Sequence, residues 1–531
     1  MRDKLTNLDK ENLYKKIIFL FLIIQPFIEW DHLLNNYLKQ YGLITPSTLI
    51  RILGIPLLAV IGFIFVDKNK KRTFFIVACT TLVIILYSVF HFIAISKLDI
   101  NLPSNFKISF KVELKAILVL IIPFVLMYCV YLAQFSRRTF NRIILLVSIA
   151  ICSSIFITNL FSISLASYGG ITKTNFISWF TGIYESGIDP KLLTSKGWYQ
   201  SANVLGALMC MLLPLLYKIL YEVKKKWPMV LLIILHSLCM MMIGTRVATL
   251  GVVLVAIAAL FSYIGCSVLR LNPFRLKFFV IIIAMITLTV IVYPYTPAIK
   301  YQESNTQLIK NLKEEEEKSD GVNQMSNQVE QLQRHVDDKE GKDAVLIAIL
   351  RENLSLFTFP SVYYDESYPI EFDPAFWNGV LNEPFEKRSD GRKLQKLFAE
   401  YKWGMMDTKE RMMGIGFSPL NEGNIMLEQD GWRQLYSMGI IGFCLFVGPY
   451  IILLLISIIR ALINFKRIVN FSNLMLLLSV TLGLGAAYYS GHVLEEFFGN
   501  VYLGFIMVSL FLNTGSNNLL NDKDKVKSCP R

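Results

Sequence analysis

A chain of 531 residues that is 54% hydrophobic and only 18% charged is too apolar for a set of soluble domains. Its formal charge of +13 comes from basic residues gathered at the ends of apolar blocks. That placement excludes a nucleic-acid-binding reading and marks membrane orientation instead.

A helix needs about 20 mostly apolar residues to cross roughly 30 Å of hydrocarbon. Blocks of that kind predict about twelve transmembrane helices, at 17–30, 48–66, 73–95, 116–134, 143–164, 203–221, 229–244, 247–265, 278–295, 438–459, 468–488 and 497–513. The first is short, holds Pro26 and lacks a small-residue cleavage site, so it reads as a retained helix. With the amino terminus inside, the inner segments carry 25 Lys and Arg and the short outer segments nine. This bias predicts that both termini are cytoplasmic. Cys79, Cys129, Cys152, Cys210, Cys239 and Cys444 lie in apolar runs, Cys266 at an inner helix end and Cys529 in the tail. No cysteine falls in an outer loop and none has zinc spacing, so neither a disulfide nor a metal is expected.

The resulting plan is an all-α integral membrane protein. Residues 1–295 hold nine helices, 296–437 one large extracytoplasmic loop with short helices, 438–513 three more helices and 514–531 a cytoplasmic tail. In the loop, "KNLKEEEEKSDGVNQMSNQVEQLQRHVDDKEGKD" reads as a mobile or solvated helix whose run Glu314–Glu317 faces water. "AVLIAILRENLSLF" has helical apolar spacing suited to the bilayer surface or the bundle. "PSVYYDESYPIEFDPAFWNGVLNEPF" has the composition of either a carbohydrate-contacting surface or a packed lid. A loop this long is uncommon unless functional or disordered.

Candidate chemistry follows in chain order. "FIEWDHLL" holds Glu29 and Asp31 at ExD spacing in the first outer loop. "GWYQSANVLGAL" puts Trp198, Tyr199, Gln200 and Asn203 at an outer helix end, suited to an aromatic belt with a helix cap or to sugar contact. Intramembrane His236 suits a helix–helix hydrogen bond better than chemistry. "GTRVATLG" interrupts a long apolar stretch, and Arg246 there costs roughly 2.5–3.5 kcal/mol on insertion scales, so it is read as functional, with an anchoring role as the alternative. "SDGRKLQKLF" supplies Arg392, with Arg388 four residues earlier. "MGIGFSPLNEGN" brings Gly414 and Gly416 for a tight backbone path. "MLEQDGWRQLYSMGIIGF" gathers Glu428, Asp430 and Arg433 before Gly439, with Asp430 and Arg433 on one helical face.

"GWYxxANxxG" at 197–206, "TR" at 245–246, "SxGR" at 389–392, "GIGF" at 414–417 and "ExD…GIIGF" at 428–443 together resemble the O-antigen ligase and polysaccharide polymerase family. The resemblance covers about residues 195–460. Many members carry a histidine eleven residues before the glycine that opens the next helix. Here Glu428 stands in that place, as in Gram-positive-type members. The resemblance implies a GT-C-like fold and a metal-independent, inverting transfer of glycan from undecaprenyl diphosphate to a glycan or lipid-linked acceptor, with no cofactor. It implies Arg246, Arg392 and Arg433 as diphosphate ligands, because the planar guanidinium fork binds phosphate oxygens in pairs. Glu428 or Asp430 would take or orient the acceptor proton, and Tyr199, Gln200 and Asn203 would contact sugar.

Two rivals stay open. Glu29 and Asp31 fit a metal-dependent polyprenyl-phosphate-sugar transferase. A lipid-linked sugar transporter or flippase is the other, although transporters place their ionisable groups near the midplane rather than at outer helix ends.

Overall fold

The computed structural model describes residues 2–41, 44–98, 108–319, 321–421, 425 and 427–515. The tail beyond residue 515, with Cys529, lies outside the described residues, as do residues 422–424 and 426 of the two motif stretches. Among the described residues the regular structure is helical, apart from one isolated bridge between Leu165 and Ile171.

Among the described residues, eleven helices are long and apolar enough to cross a membrane: Asp9–Leu34, Pro46–Phe65, Lys70–Ser96, Phe110–Ala133, Arg137–Leu160, Ala202–Glu222, Arg246–Val268, Leu276–Tyr295, Asp430–Ile463, Phe471–Tyr489 and Phe497–Thr514. The remaining predicted span is the helix Trp227–Ile243, which has 17 residues. Pro228 at its start supplies a preset φ and Gly244 at its end adopts φ 68°, so sequence punctuation fixes both ends.

The chain forms two compact units. The first comprises Met1–Ala78, Leu118–Tyr301 and Gly448–Arg531. Its centre is the helix Ala202–Glu222, apolar on every side and buried along its whole apolar window. Arg137–Leu160, Trp227–Ile243, Arg246–Val268, Phe471–Tyr489 and Phe497–Thr514 surround it. Contact with Arg246–Val268 is close because Gly206 has no side chain: a Cβ there would stand 2.9 Å from Thr245 Oγ1 and 3.1 Å from Ala248 Cβ. His236 joins helices as expected, with Nε2 3.0 Å from the Met209 carbonyl and Nδ1 3.5 Å from Cys152 Sγ. Where the central helix ends, Glu222 takes Arg137 at 2.6 Å, Asn141 at 2.8 Å and the buried Lys218 at 3.1 Å. The buried charge of Lys218 is thereby paired.

The second unit comprises Cys79–Ile117 and Gln302–Val447. It has its own apolar core of Met325, Val329, Leu346, Ile349, Leu350, Phe357, Tyr364, Tyr368, Trp377 and Phe398. Four of its helices begin on an aspartate whose carboxylate accepts a backbone N–H: Asp338 from Gly341, Asp373 from Phe376, Asp390 from Arg392 and Asp407 from Glu410. Asp373 also accepts from Tyr368 OH at 2.5 Å and Tyr401 OH at 3.1 Å, and lies 3.5 Å from the fully buried Lys402 ammonium. Burial lowers the Lys402 pKa, and Asp373 opposes that shift.

Three expectations are narrowed here. The helix Lys339–Glu352 turns Leu346, Ile349 and Leu350 into this core, because Met325, Phe357 and Trp377 supply apolar partners. The aromatic stretch is packing: Tyr364, Tyr368, Phe376 and Trp377 are buried, and Trp377 donates its indole N–H to the Tyr368 carbonyl at 2.8 Å. Within Glu314–Glu317, Glu316 pairs with the buried guanidinium of Arg388, which also donates to the Leu356 carbonyl at 3.1 Å. Arg388 is therefore structural.

Candidate active site

The candidate residues fall in both units. In the first, the turn Gly244–Arg246 is held through three successive carbonyls. Met242 accepts from Ser195 N at 2.7 Å, Ile243 from Ser167 Oγ at 2.5 Å and Gly244 from Tyr168 OH at 3.3 Å. Thr245 caps the next helix by accepting from Ala248 N at 3.3 Å. Arg246 is the first residue of that helix and its side chain is exposed. A fixed backbone thus carries a cation at a helix start.

Gln200 is exposed and Asn203 half-buried at the start of the central helix. Tyr199 differs from expectation: it is 1% exposed, and its ring stacks on Phe498 at 5.5 Å and 9°. A ring so enclosed packs the unit and offers no face to a sugar, which corrects its reading as a glycan ligand. Lys196, not foreseen, is half-buried, with its ammonium 2.7 Å from the Gln200 carbonyl. Burial lowers its pKa.

Glu29 and Asp31 both have protein partners. Glu29 Oε2 accepts from Arg51 Nη2 at 2.6 Å, while Arg51 Nε donates to Gln25 Oε1 at 2.8 Å. Asp31 Oδ2 accepts from Ser47 N at 2.5 Å, at the start of the helix Pro46–Phe65. Both carboxylates are therefore engaged by the helix Pro46–Phe65, Glu29 by the Arg51 side chain and Asp31 by a first-turn N–H.

The second unit joins two of the motif fragments. Arg392, in the first turn of the helix Gly391–Met405, donates from Nε to Glu428 Oε2 at 2.8 Å. The side chains are 35% and 32% exposed, so the pair stands at a water-accessible surface. One turn along, Lys396 lies 4.0 Å over the ring of Trp432, which stacks on Tyr436. Gln395 Oε1 faces Glu428 N at 3.4 Å. Burial, with Glu428 nearby, raises the Tyr363 pKa, so that phenol remains a hydrogen-bond donor at neutral pH.

Asp430 opens the helix Asp430–Phe446 and is fully buried; Arg433 is 5% exposed, with its guanidinium 5.4 Å over the Phe417 ring. Gly439, at φ 69° and ψ −178°, breaks this helix. The break strips the preceding carbonyls of their usual partners. Ile415 N donates to the Tyr436 carbonyl at 2.8 Å and Gly416 N to that of Ser437 at 2.9 Å. Tyr87 OH donates to the Met438 carbonyl at 2.7 Å. A Cβ on Gly414 would stand 2.3 Å from Gly439 N, so the two glycines let main chain meet main chain.

Sequence reading missed Tyr87, His91, Glu113, Arg51, Lys396 and Trp432. His91, Glu113 and Arg51 were legible in principle as ionisable residues within or beside predicted apolar spans.

A family model described as "O-antigen ligase like membrane protein" matches residues 11–516, nearly the whole chain. No curated protein and no solved structure matches it.

Proposed function

Because the chain belongs to the O-antigen ligase like membrane protein family, we propose that it is a membrane glycosyltransferase that ligates or polymerises undecaprenyl-diphosphate-linked glycan on the outer face of the cytoplasmic membrane. The observation that carries this reading is the Arg392–Glu428 pair, which unites a candidate diphosphate ligand with a candidate base at 2.8 Å.

The chemistry is an inverting displacement. An acceptor hydroxyl oxygen attacks the anomeric carbon opposite the diphosphate, and the new C–O bond forms as the carbon–diphosphate bond breaks. The bonding pair leaves on the diphosphate oxygen, and the hydroxyl proton passes to Glu428. Arg392 and Arg433 meet the growing phosphate charge, since donors fixed in advance cost no reorganisation during reaction. Arg246, exposed at its helix start, is a further proposed diphosphate ligand, and Gln200 and Asn203 are proposed sugar contacts. Asp430, being buried, orients its neighbours. A partly exposed ion pair is worth only about 0–1 kcal/mol, so opening Arg392 from Glu428 costs little beside charge-assisted phosphate binding.

The separate partners of Glu29 and Asp31 count against the metal-dependent rival. The test is product formation by the purified chain from undecaprenyl-diphosphate glycan and acceptor, with EDTA present. Transport without a new glycosidic bond favours the flippase reading, and loss of transfer on chelation favours the metal-dependent one. Sidedness is tested separately. Cysteines at Gln328 and Lys387 should react with an impermeant thiol reagent on intact cells, and cysteines at Lys70 and Lys225 should not.

A further inference from the structure

Glu113 and His91 form a buried polar pair that no step above uses. Both side chains are fully buried, Glu113 in the first turn of the helix Phe110–Ala133 and His91 on Lys70–Ser96. Glu113 Oε1 accepts from Ser418 N at 2.6 Å and Ser418 Oγ at 2.7 Å. Its Oε2 accepts from Phe417 N at 3.0 Å and lies 3.4 Å from His91 Nε2. His91 Nδ1 donates to the Met413 carbonyl at 2.7 Å. A buried carboxylate is costly unless fully hydrogen-bonded, and here its main-chain and hydroxyl partners all belong to one short segment, Phe417–Ser418. With Met413 held at the other end, the pair grips the whole turn Met413–Ser418. That turn contributes the Phe417 ring under Arg433 and the N–H groups that complete the broken helix at Tyr436 and Ser437.

We propose that His91 and Glu113 are positioning residues for Arg433: they fix the Met413–Ser418 turn so that Phe417 supports the guanidinium at the angle the diphosphate requires. The inference rests on the transferase reading, but its test is read in binding rather than turnover.

The full-length chain in nanodiscs is titrated with undecaprenyl diphosphate. Glu113→Gln replaces one accepting oxygen by an amide N–H facing other donors. It should weaken binding about 10-fold and lower kcat/KM for the donor by at least as much, since Arg433 meets charge that grows in the transition state. Arg433→Gln should absorb that effect: in its background Glu113→Gln should cost no more than about 2-fold, because residues acting through one another are not additive. An Arg392→Gln background should keep the full Glu113→Gln penalty. His91→Gln, which retains an amide donor for Met413, should fall between wild type and Glu113→Gln. Should Glu113→Gln fail to fold, Ser418→Ala takes its place in the same cycle with a smaller penalty.

Wild-type binding by Glu113→Gln, or an equal penalty with and without Arg433, overturns the proposal. If the coupling appears but the wild type makes no glycosidic bond, the transferase reading fails and the positioning role stands. Lost coupling with intact transfer sinks the positioning role alone.

Discussion

The guanidinium of Arg392 and the carboxylate of Glu428 are each other's partner at 2.8 Å, so the proposed cation and the proposed base cannot both act while they remain paired. In the proposed reaction, diphosphate entering beside Arg392 would compete with Glu428 and so free the carboxylate when the donor is in place.

Glu428→Gln should therefore do two opposite things. Turnover should fall 10²–10⁴-fold, about the usual worth of general-base catalysis. Undecaprenyl diphosphate should bind at least as tightly as to wild type, since Arg392 loses a competing charge. Turnover assays beside calorimetric titration check this; weaker binding would mean that Glu428 supports the donor rather than competing for it. Asp430→Asn should lower turnover less, and the reverse order would move the base to Asp430.

Arg246→Lys, Arg392→Lys and Arg433→Lys each keep a positive charge and lose the planar fork. Each should lose most transfer activity while expression and membrane insertion are unchanged. Near-normal polymer from any one of them would leave that arginine an anchor.

Asp373→Ala removes a helix cap, two tyrosine hydroxyl contacts and the carboxylate beside the buried Lys402. Removing one partner of a buried ion pair typically costs about 3–5 kcal/mol. A large fall in thermal midpoint in detergent is expected, with Lys402→Met milder because the Asp373 carboxylate it leaves keeps two tyrosine hydroxyls and the Phe376 N–H as donors. An unshifted midpoint for Asp373→Ala would show the network to be dispensable.

Glu496 is half-buried, and burial with the nearby Glu29 and Glu495 carboxylates pushes its pKa to about 7, against the pull of His492 and Arg51. Because the folded pKa is raised, the folded chain holds more proton than the unfolded one between the ordinary carboxylate range and about 7. Its contribution to stability is full below that range and is lost as pH rises through about 7. Thermal midpoints should fall across this window, and Glu496→Gln should flatten the profile. A flat wild-type profile would remove the effect.

The membrane helices were legible because apolar runs near bilayer length have few other readings, and proline, glycine and Thr245 mark several ends. Gly439 was legible as a helix start for the same reason. Less legible was what each polar residue touches. Arg388 and Arg392 look alike in sequence, yet one is buried against Glu316 and Leu356 while the other reaches Glu428 at the surface. Tyr199 looked like a sugar ligand because no local signal announces Phe498, about three hundred residues away. Glu113 stands just before a predicted span, where no local signal marks a carboxylate as buried. Its partners, Phe417 and Ser418, lie three hundred residues on, and only the fold brings them to its carboxylate.

The short helix Trp227–Ile243 has a consequence for the lipid around it. Seventeen residues at about 1.5 Å each reach about 26 Å, less than the roughly 30 Å of a typical hydrocarbon slab. A bilayer meets such mismatch by thinning locally, and the thinned rim would lie at Gly244, next to Arg246. Membrane thickness thereby becomes a variable of this protein: longer acyl chains raise the cost of bringing head groups down to that arginine, and shorter chains relieve it.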